Sequence, residues 1–260
     1  VIGYNSSFKS NTVNYAIIFK ITRSSPFYEG DAAPSNQYNG NASFNINDAL
    51  TVYMSHAIPS QYNGNLIVNR TVAGVTVLFN AGASITGNYT YTNNVGSSTS
   101  MGATGNKTNI GGTVNITADY SSPGAFEMRR IVNHTTGGII NVQNSAGFHL
   151  ENDTLIVTSL SITGYRGDGY AFLLNNAITG NVTTADDASY TGGYVTDIEN
   201  NVITGNTSFS NNGTNRFYDA LYGGTGNNYI GNVTYNSAGG DLFIAQSNAL
   251  QCSGNLTINR

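Results

Sequence analysis

Three aspartates recur at a constant interval and could do chemistry together. Asp197, Asp219 and Asp241 follow one another at equal steps of about 22 residues, close to the interval of a structural repeat, and each lies in or beside a short apolar stretch. If the chain returns to the same place at that interval, the carboxylates lie about 5 Å apart and repel one another unless a cation such as Ca²⁺ joins them. The same set could supply the acid and base of a polysaccharide lyase or hydrolase. Turn or capping aspartates that share no site are the alternative.

A second candidate surface consists of short neutral polar residues that follow glycines in a recurring Gly-Asn-x-Thr/Ser element. We predict that they form an outward ladder, the outer ladder, which binds a regular polar surface such as a polysaccharide or ice. Plain solvent contact, with stacked amides bonded to each other, is the alternative. The outer ladder comprises Asn41, Asn65, Asn88, Thr90, Asn181, Thr183, Asn206, Asn232, Thr234, Asn255 and Thr257.

Asparagines of the outer ladder begin Asn-x-Ser/Thr sequons, and we single out five of them as candidates for glycosylation. These are Asn41, Asn88, Asn181, Asn232 and Asn255. In so Asn-rich a repeat, sequons also arise from the repeat itself. Modification is therefore an expectation that mass spectrometry of native material would decide.

The elements that position these residues follow from a repeat. Landmark glycines return about every 24 residues, and the residues after each one alternate between apolar and polar, which is the period of a β-strand. Because one such strand cannot bury its apolar side alone, the repeats must stack. We predict an all-β, right-handed parallel β-helix with coils of about 22–26 residues over 40–260. Residues 1–39 are expected to be an N-terminal cap or a degenerate first coil, and the register between about 140 and 180 stays open.

Composition excludes several classes of protein. Only 9% of the residues are charged and the net charge is −4, so no basic stripe is available for nucleic acid. The single Cys252 cannot form an internal disulfide, and no apolar run is long enough to span a membrane. The chain starts at Val1 and ends within a repeat at Arg260, and we expect it to be a piece of a longer protein.

The repeats of residues 217–236, 240–245 and 254–259 resemble those of large secreted β-helical proteins of Bacteroidota. That family is adhesin-like, lies at the cell surface and is associated with type IX secretion. The resemblance implies an extracellular structural or adhesive segment that is not an enzyme. It implies surface polysaccharide, or other copies or segments of the same large protein, as partners, and no cofactor unless Ca²⁺ binds. A carbohydrate-active enzyme and a glycan- or ice-binding solenoid stay open as alternatives.

Overall fold

The structure is a computed structural model in which the described residues form strands and turns and no helix. It describes residues 6–22, 25–48, 51–95, 98–102, 105–120, 124–166, 171–189, 195–220, 225–245 and 247–260. The strands are β1 Ser6–Phe8, β2 Thr12–Val13, β3 Ile17–Ile21, β4 Phe27–Glu29, β5 Gln37–Tyr38, β6 Ala42–Ile46, β7 Val52–Tyr53, β8 Ser60–Tyr62, β9 Leu66–Arg70, β10 Thr76–Leu78, β11 Ala83–Ile85, β12 Tyr89–Asn93, β13 Thr99–Met101, β14 Thr108–Ile110, β15 Val114–Asp119, β16 Ala125–Arg129, β17 Ile131–Asn133, β18 Gly138–Gln143, β19 Gly147–Glu151, β20 Thr154–Tyr165, β21 Ala171–Leu174, β22 Ala177–Asp186, β23 Val195–Glu199, β24 Val202–Thr204, β25 Thr207–Asn211, β26 Arg216–Asp219, β27 Asn228–Ile230, β28 Val233–Ser237, β29 Leu242–Ile244, β30 Gln251–Cys252 and β31 Leu256–Asn259.

These strands stack in parallel as a β-helix, which confirms the predicted fold class. Face A is an eleven-stranded sheet of β1, β4, β7, β10, β13, β16, β19, β21, β23, β26 and β29. Face B contains β2, β5, β8, β11, β14, β17, β24, β27 and β30, and face C contains β3, β6, β9, β12, β15, β18, β25, β28 and β31. The long strands β20 and β22 run along both faces B and C and join them into one sheet.

Coil length varies along the helix. The coil that separates Thr196 from its partner Phe217 is shorter than predicted, whereas the coil that separates Thr99 from its partner Phe126 is longer. The predicted range of coil lengths is therefore slightly too narrow, because the turns between faces differ in length. The described residues before 40 contribute β1 to β5 to the same ladders as the later coils.

Apolar side chains fill the interior in rows that run from coil to coil. One row of face C is almost completely buried and consists of Phe44, Val68, Tyr91, Ile116, Ile140, Leu160 and Val182. Aromatic and β-branched residues suit such pleated, packed positions. Each buried side chain stabilises the fold by about 1.5–3 kcal/mol, so the alternation seen in the sequence is the source of the core.

Candidate functional site

The three aspartates do not share one register, so the expectation that they align is wrong. Asp197 pairs with Tyr218, and Asp219 pairs with Ile244. The cause is coil length: the coil from Thr196 to Phe217 is shorter than the coil that follows it, so equal steps in sequence miss each other in space. Within the described ranges no three His, Cys, Asp or Glu side chains are grouped so that one metal ion could join them. Calcium shared by all three carboxylates has no geometric support.

Each aspartate has a different environment. Asp219 is fully buried and accepts hydrogen bonds from Asn227 Nδ2 at 2.7 Å, from the Tyr229 hydroxyl at 2.6 Å and from the Tyr235 hydroxyl. Burial raises its pKa despite these donors. Asp241 is exposed, 3.8 Å from Arg216. Asp219 therefore holds the interior together, Asp241 lies at the surface beside Arg216, and Asp197 lies on the outward side of face A.

The outer ladder lies on the surface as predicted, since all its residues are exposed or half-exposed. Its amide oxygens, however, hold adjacent coils together. Asn41 Oδ1 accepts the backbone N–H of Asn65 at 2.9 Å, and Asn181 Oδ1 accepts that of Asn206 at 3.0 Å. The same bond joins Asn65 to Asn88, and Asn232 to Asn255. These asparagines thus act first as structural links between coils.

The outer ladder is also not one straight row. Thr90 pairs with Asn115 in the first half of the helix. When the same row of paired residues is followed from coil to coil, it passes through Ser159 and reaches Asn181. Asn88 and Asn181 therefore differ in register by two residues. The shift occurs at irregularities between Gly138 and Ile139 and in β20, inside the segment where the sequence left the register open.

Four neighbouring strands of face A are extended and carry a different surface. In β10 and β13 the residue directly after the strand, Phe79 or Gly102, forms the corner and has a positive φ. Met128 pairs with Met101, yet Arg129 comes before the corner residue Arg130, so the face gains one outward position. The same extension occurs in β19, β21 and β23. We call the resulting surface the face A patch; it comprises Glu127, Arg129, His149, Glu151, Phe172, Leu174, Asp197 and Glu199.

An ion-pair network forms one half of the face A patch. Arg129 Nη2 donates to His149 Nδ1 at 2.9 Å, and Arg129 Nε lies 3.5 Å from Glu151. Because a guanidinium only donates, Nδ1 of His149 is the acceptor and the neutral ring carries its proton on Nε2, 3.2 Å from Glu151. Burial, together with the charge of Arg129, lowers the pKa of His149. The lowered pKa favours the neutral form of the ring.

Aromatic rings and carboxylates form the other half. Phe172 lies 5.5 Å from the His149 ring, between centroids, and pairs with Asp197 on the next coil. Tyr218 follows in the same row and stacks on Phe243 at 4.7 Å. Asp197 is 5% exposed and its Oδ1 has no hydrogen-bond partner. Burial, with the nearby charges of Glu199 and Asp219, raises the pKa of Asp197 to about 7.

Sequence reasoning assigned no role to Glu127, Arg129, His149 or Glu151. A usable signal was present, because each pair stands on alternate positions of a strand, with apolar residues between: 126–129 reads Phe-Glu-Met-Arg and 148–151 reads Phe-His-Leu-Glu. Residues at positions i and i+2 point to the same side of a strand. The sequence pattern does not show the coil register, and it is this register that places the pairs side by side.

A groove runs along the corner next to the face A patch. Its volume is about 590 Å³, and it spans five coils between faces A and B. The corner residues Arg130, Asn152, Asn175 and Asn200 line it, all with φ of 56–58°. Asp153 and Asn176 lie deeper and belong to a buried row, the inner ladder, of Asp153, Asn176, Asn201 and Asn227. Each inner-ladder side chain accepts a backbone N–H of the preceding coil.

No family model, curated protein or solved structure matches this chain. The part of the chain that the structure describes holds no helix able to cross a membrane.

Proposed function

We propose that this chain is an extracellular structural and adhesive β-helix segment that binds polysaccharide through the face A patch. The observation that carries the proposal is the concentration of polar chemistry there. Five of the eight patch residues are charged, in a chain of which 9% is charged, and the rings of His149 and Phe172 lie on the two middle strands between them. A featureless spacer has no need of such a cluster.

The patch has the chemistry that sugars require. Flat ring faces such as those of Phe172 in the patch and Tyr218 on the next coil pack against the apolar faces of pyranose rings, while carboxylates and an arginine bond to hydroxyl groups. Because neighbouring coils are about 4.8 Å apart, four coils present a strip of roughly 15 Å. That length suits a few sugar residues of a linear chain.

Localisation and partners follow from the family resemblance of the repeats. The resemblance supports a cell-surface protein, exported by type IX secretion, that contacts surface polysaccharide or other copies or segments of the same protein. The exposed amino groups and hydroxyls of the outer ladder supply a second polar surface that could contact glycan or ice. Glycans on Asn41, Asn88, Asn181, Asn232 or Asn255 would project from that ladder and leave the face A patch free.

A glycan array tests the adhesive function. We expect the purified chain to retain a subset of polysaccharides, and Phe172→Ala to weaken that binding at least 10-fold because it removes a ring from the patch. Ile139→Ala, on exposed face C, is the matched control and should bind as the parent does. An array without hits, or equal binding by the Phe172 variant, would overturn the proposal.

Polysaccharide cleavage is a second candidate, favoured by Asp197. A buried carboxyl group with a pKa of about 7 next to Glu199 can be protonated at neutral pH and can then act as a general acid. The measurement is the release of new reducing ends, or of unsaturated ends, from the retained glycans. Turnover that disappears in Asp197→Asn would support an enzyme. If the parent protein shows no turnover, polysaccharide cleavage is ruled out and the adhesive function remains.

A further inference from the structure

We propose that the corner groove binds the acidic groups of an anionic polysaccharide, one that carries carboxylates or sulfates. This inference rests on the proposed function and names the class of glycan. The groove is the space of about 590 Å³ between faces A and B that is lined by Lys107, Arg130, Asp153 and the corner asparagines. It borders the face A patch, so one polysaccharide chain that runs along the helix axis can contact both.

Two cationic residues, Lys107 and Arg130, line one end of the groove. Lys107 precedes Thr108, whose backbone N–H donates to the carbonyl of Arg130 at 3.1 Å, so the two residues stand on neighbouring coils. Neither side chain forms an ion pair within the described ranges, whereas Arg129, Arg166 and Arg216 each have an acidic partner. In a chain with net charge −4, this pair is a local excess of positive charge.

Arginine is also an unusual residue for its backbone position. Arg130 has φ of 58°, and the equivalent residues of the next three coils are Asn152, Asn175 and Asn200 at 58°, 57° and 56°. Asparagine tolerates this left-handed conformation better than arginine does. The fold therefore accepts a less favourable residue at the one corner position that adds a cation to the groove.

The buried side chain at the base of the groove is compatible with an anion. Asp153 is 1% exposed, and its Oδ2 has no hydrogen-bond partner. Burial raises its pKa to about 8, so at pH 7 the group is mostly uncharged and does not repel an anion. Two further acids, Glu151 and Glu199, directly precede the groove residues Asn152 and Asn200 on face A, and Glu151 lies 3.5 Å from Arg129 Nε. Positive charge thus dominates this end of the groove.

The corner asparagines extend the site away from the cations. Asn200 Nδ2 donates to Asn175 Oδ1 at 3.1 Å, and Asn152 Nδ2 donates to Glu151 at 3.2 Å. Each amino group has a second hydrogen that can be donated to a ligand oxygen. The neutral end of the groove would therefore bond to sugar hydroxyls while Lys107 and Arg130 bind the acidic group.

Calorimetric titration with polygalacturonate, heparin and neutral dextran tests the inference. We expect the first or the second to bind, with dextran at least 10-fold weaker, and added salt to weaken the binding. The double variant Lys107→Gln/Arg130→Asn should lose at least 10-fold in affinity, and it should fold because three neighbouring coils already have asparagine at this corner. The double variant Lys9→Gln/Lys20→Gln removes the same two positive charges from exposed sites outside the groove, so it is the charge-matched control and should leave binding unchanged.

The two proposals fail in different ways. If dextran binds as well as the acidic polymers, or if the double variant binds heparin and polygalacturonate like the parent, the groove inference is overturned while polysaccharide binding stands. If Phe172→Ala abolishes binding and the double variant does not, the face A patch acts without the groove. If no glycan binds at all, the proposed function itself is wrong.

Discussion

Asn176 and Asp153 occupy the same inner-ladder position on consecutive coils, and Asn176 Oδ1 accepts the backbone N–H of Asp153 at 2.9 Å. Asp153 Oδ1 continues the ladder by accepting the N–H of Ile131 at 2.7 Å. The amino group of Asn176 donates to the carbonyl of Leu150 at 3.0 Å, whereas the second oxygen of Asp153 has no partner. Asp153 thus places a carboxyl group at a position where the other members of the inner ladder have an amide.

Asp153→Asn should therefore stabilise the protein. In the folded state burial raises the Asp153 pKa to about 8, compared with about 3.9 in an unfolded chain, so the folded state binds the extra proton between these values. The stability of the parent should fall as pH rises from about 4 to about 8, and the asparagine variant should lack this decline. We expect a gain on the order of 2 kcal/mol at pH 7, measured by urea unfolding across pH.

The reverse variant is the matched control for that prediction. Asn176→Asp places a second carboxyl group in the inner ladder and should lose stability at pH 8 while changing little at pH 4. Equal pH dependence in the parent and in Asp153→Asn would contradict the assignment of a buried, protonated aspartic acid.

Asp219 should be indispensable for stability although it is not part of a metal site. Asp219→Ala leaves the hydroxyls of Tyr229 and Tyr235 and the amide of Asn227 without their acceptor in the interior, which should cost about 3 kcal/mol. Asp241→Ala removes an exposed carboxylate from the neighbouring coil and should cost less than about 0.5 kcal/mol. Thermal unfolding of both variants measures these losses of stability. Similar losses in the two variants would refute the structural role of Asp219.

His149 should report the electrostatics of the face A patch. Arg129 lowers the pKa of His149 and Glu127 raises it, so Arg129→Gln should raise that pKa and Glu127→Gln should lower it further. The pKa can be followed by NMR titration of the imidazole resonances, with those of His134 on another face as internal reference. Shifts in the same direction for both variants would mean that their side chains do not act through charge.

Close stacking of coils should make one glycine irreplaceable. Gly205 has φ of 146°, and a Cβ built there would lie 2.2 Å from the carbonyl oxygen of Gly180 on the preceding coil. Gly205→Ala should destabilise the fold by about 3 kcal/mol through that contact. Gly105→Ala is the comparison, because Gly105 has φ of 93° but open space, so it should show only the conformational cost of about 1 kcal/mol. Urea unfolding that gave equal losses would rule out the steric explanation.

The fold could be predicted from sequence because its signal is local and repeated. The alternation around residues such as Phe44 and Val68 already shows which side of each strand is buried, and both are fully buried. The landmark glycines then fix the approximate coil length. Neither inference needs to know which residue lies opposite which across coils.

The site could not be predicted in the same way because it depends on register. The coil from Thr196 to Phe217 is shorter than the sequence step from Asp197 to Asp219, so one aspartate points outward and the other into the core. The face A patch likewise requires one extra residue, such as Arg129, before the corner. A single residue in a turn changes which side chains meet, and periodicity alone does not resolve such a difference.

The parallel pairing of neighbouring coils also has a mechanical consequence. When tension pulls the two chain ends apart, the hydrogen bonds between coils lie along the direction of pulling, so the end coils, which are paired on one side, should peel away first. Each release frees a coil of about 24 residues, or roughly 80 Å of extended chain. A segment built in this way lengthens in discrete steps under load and dissipates mechanical energy at each step.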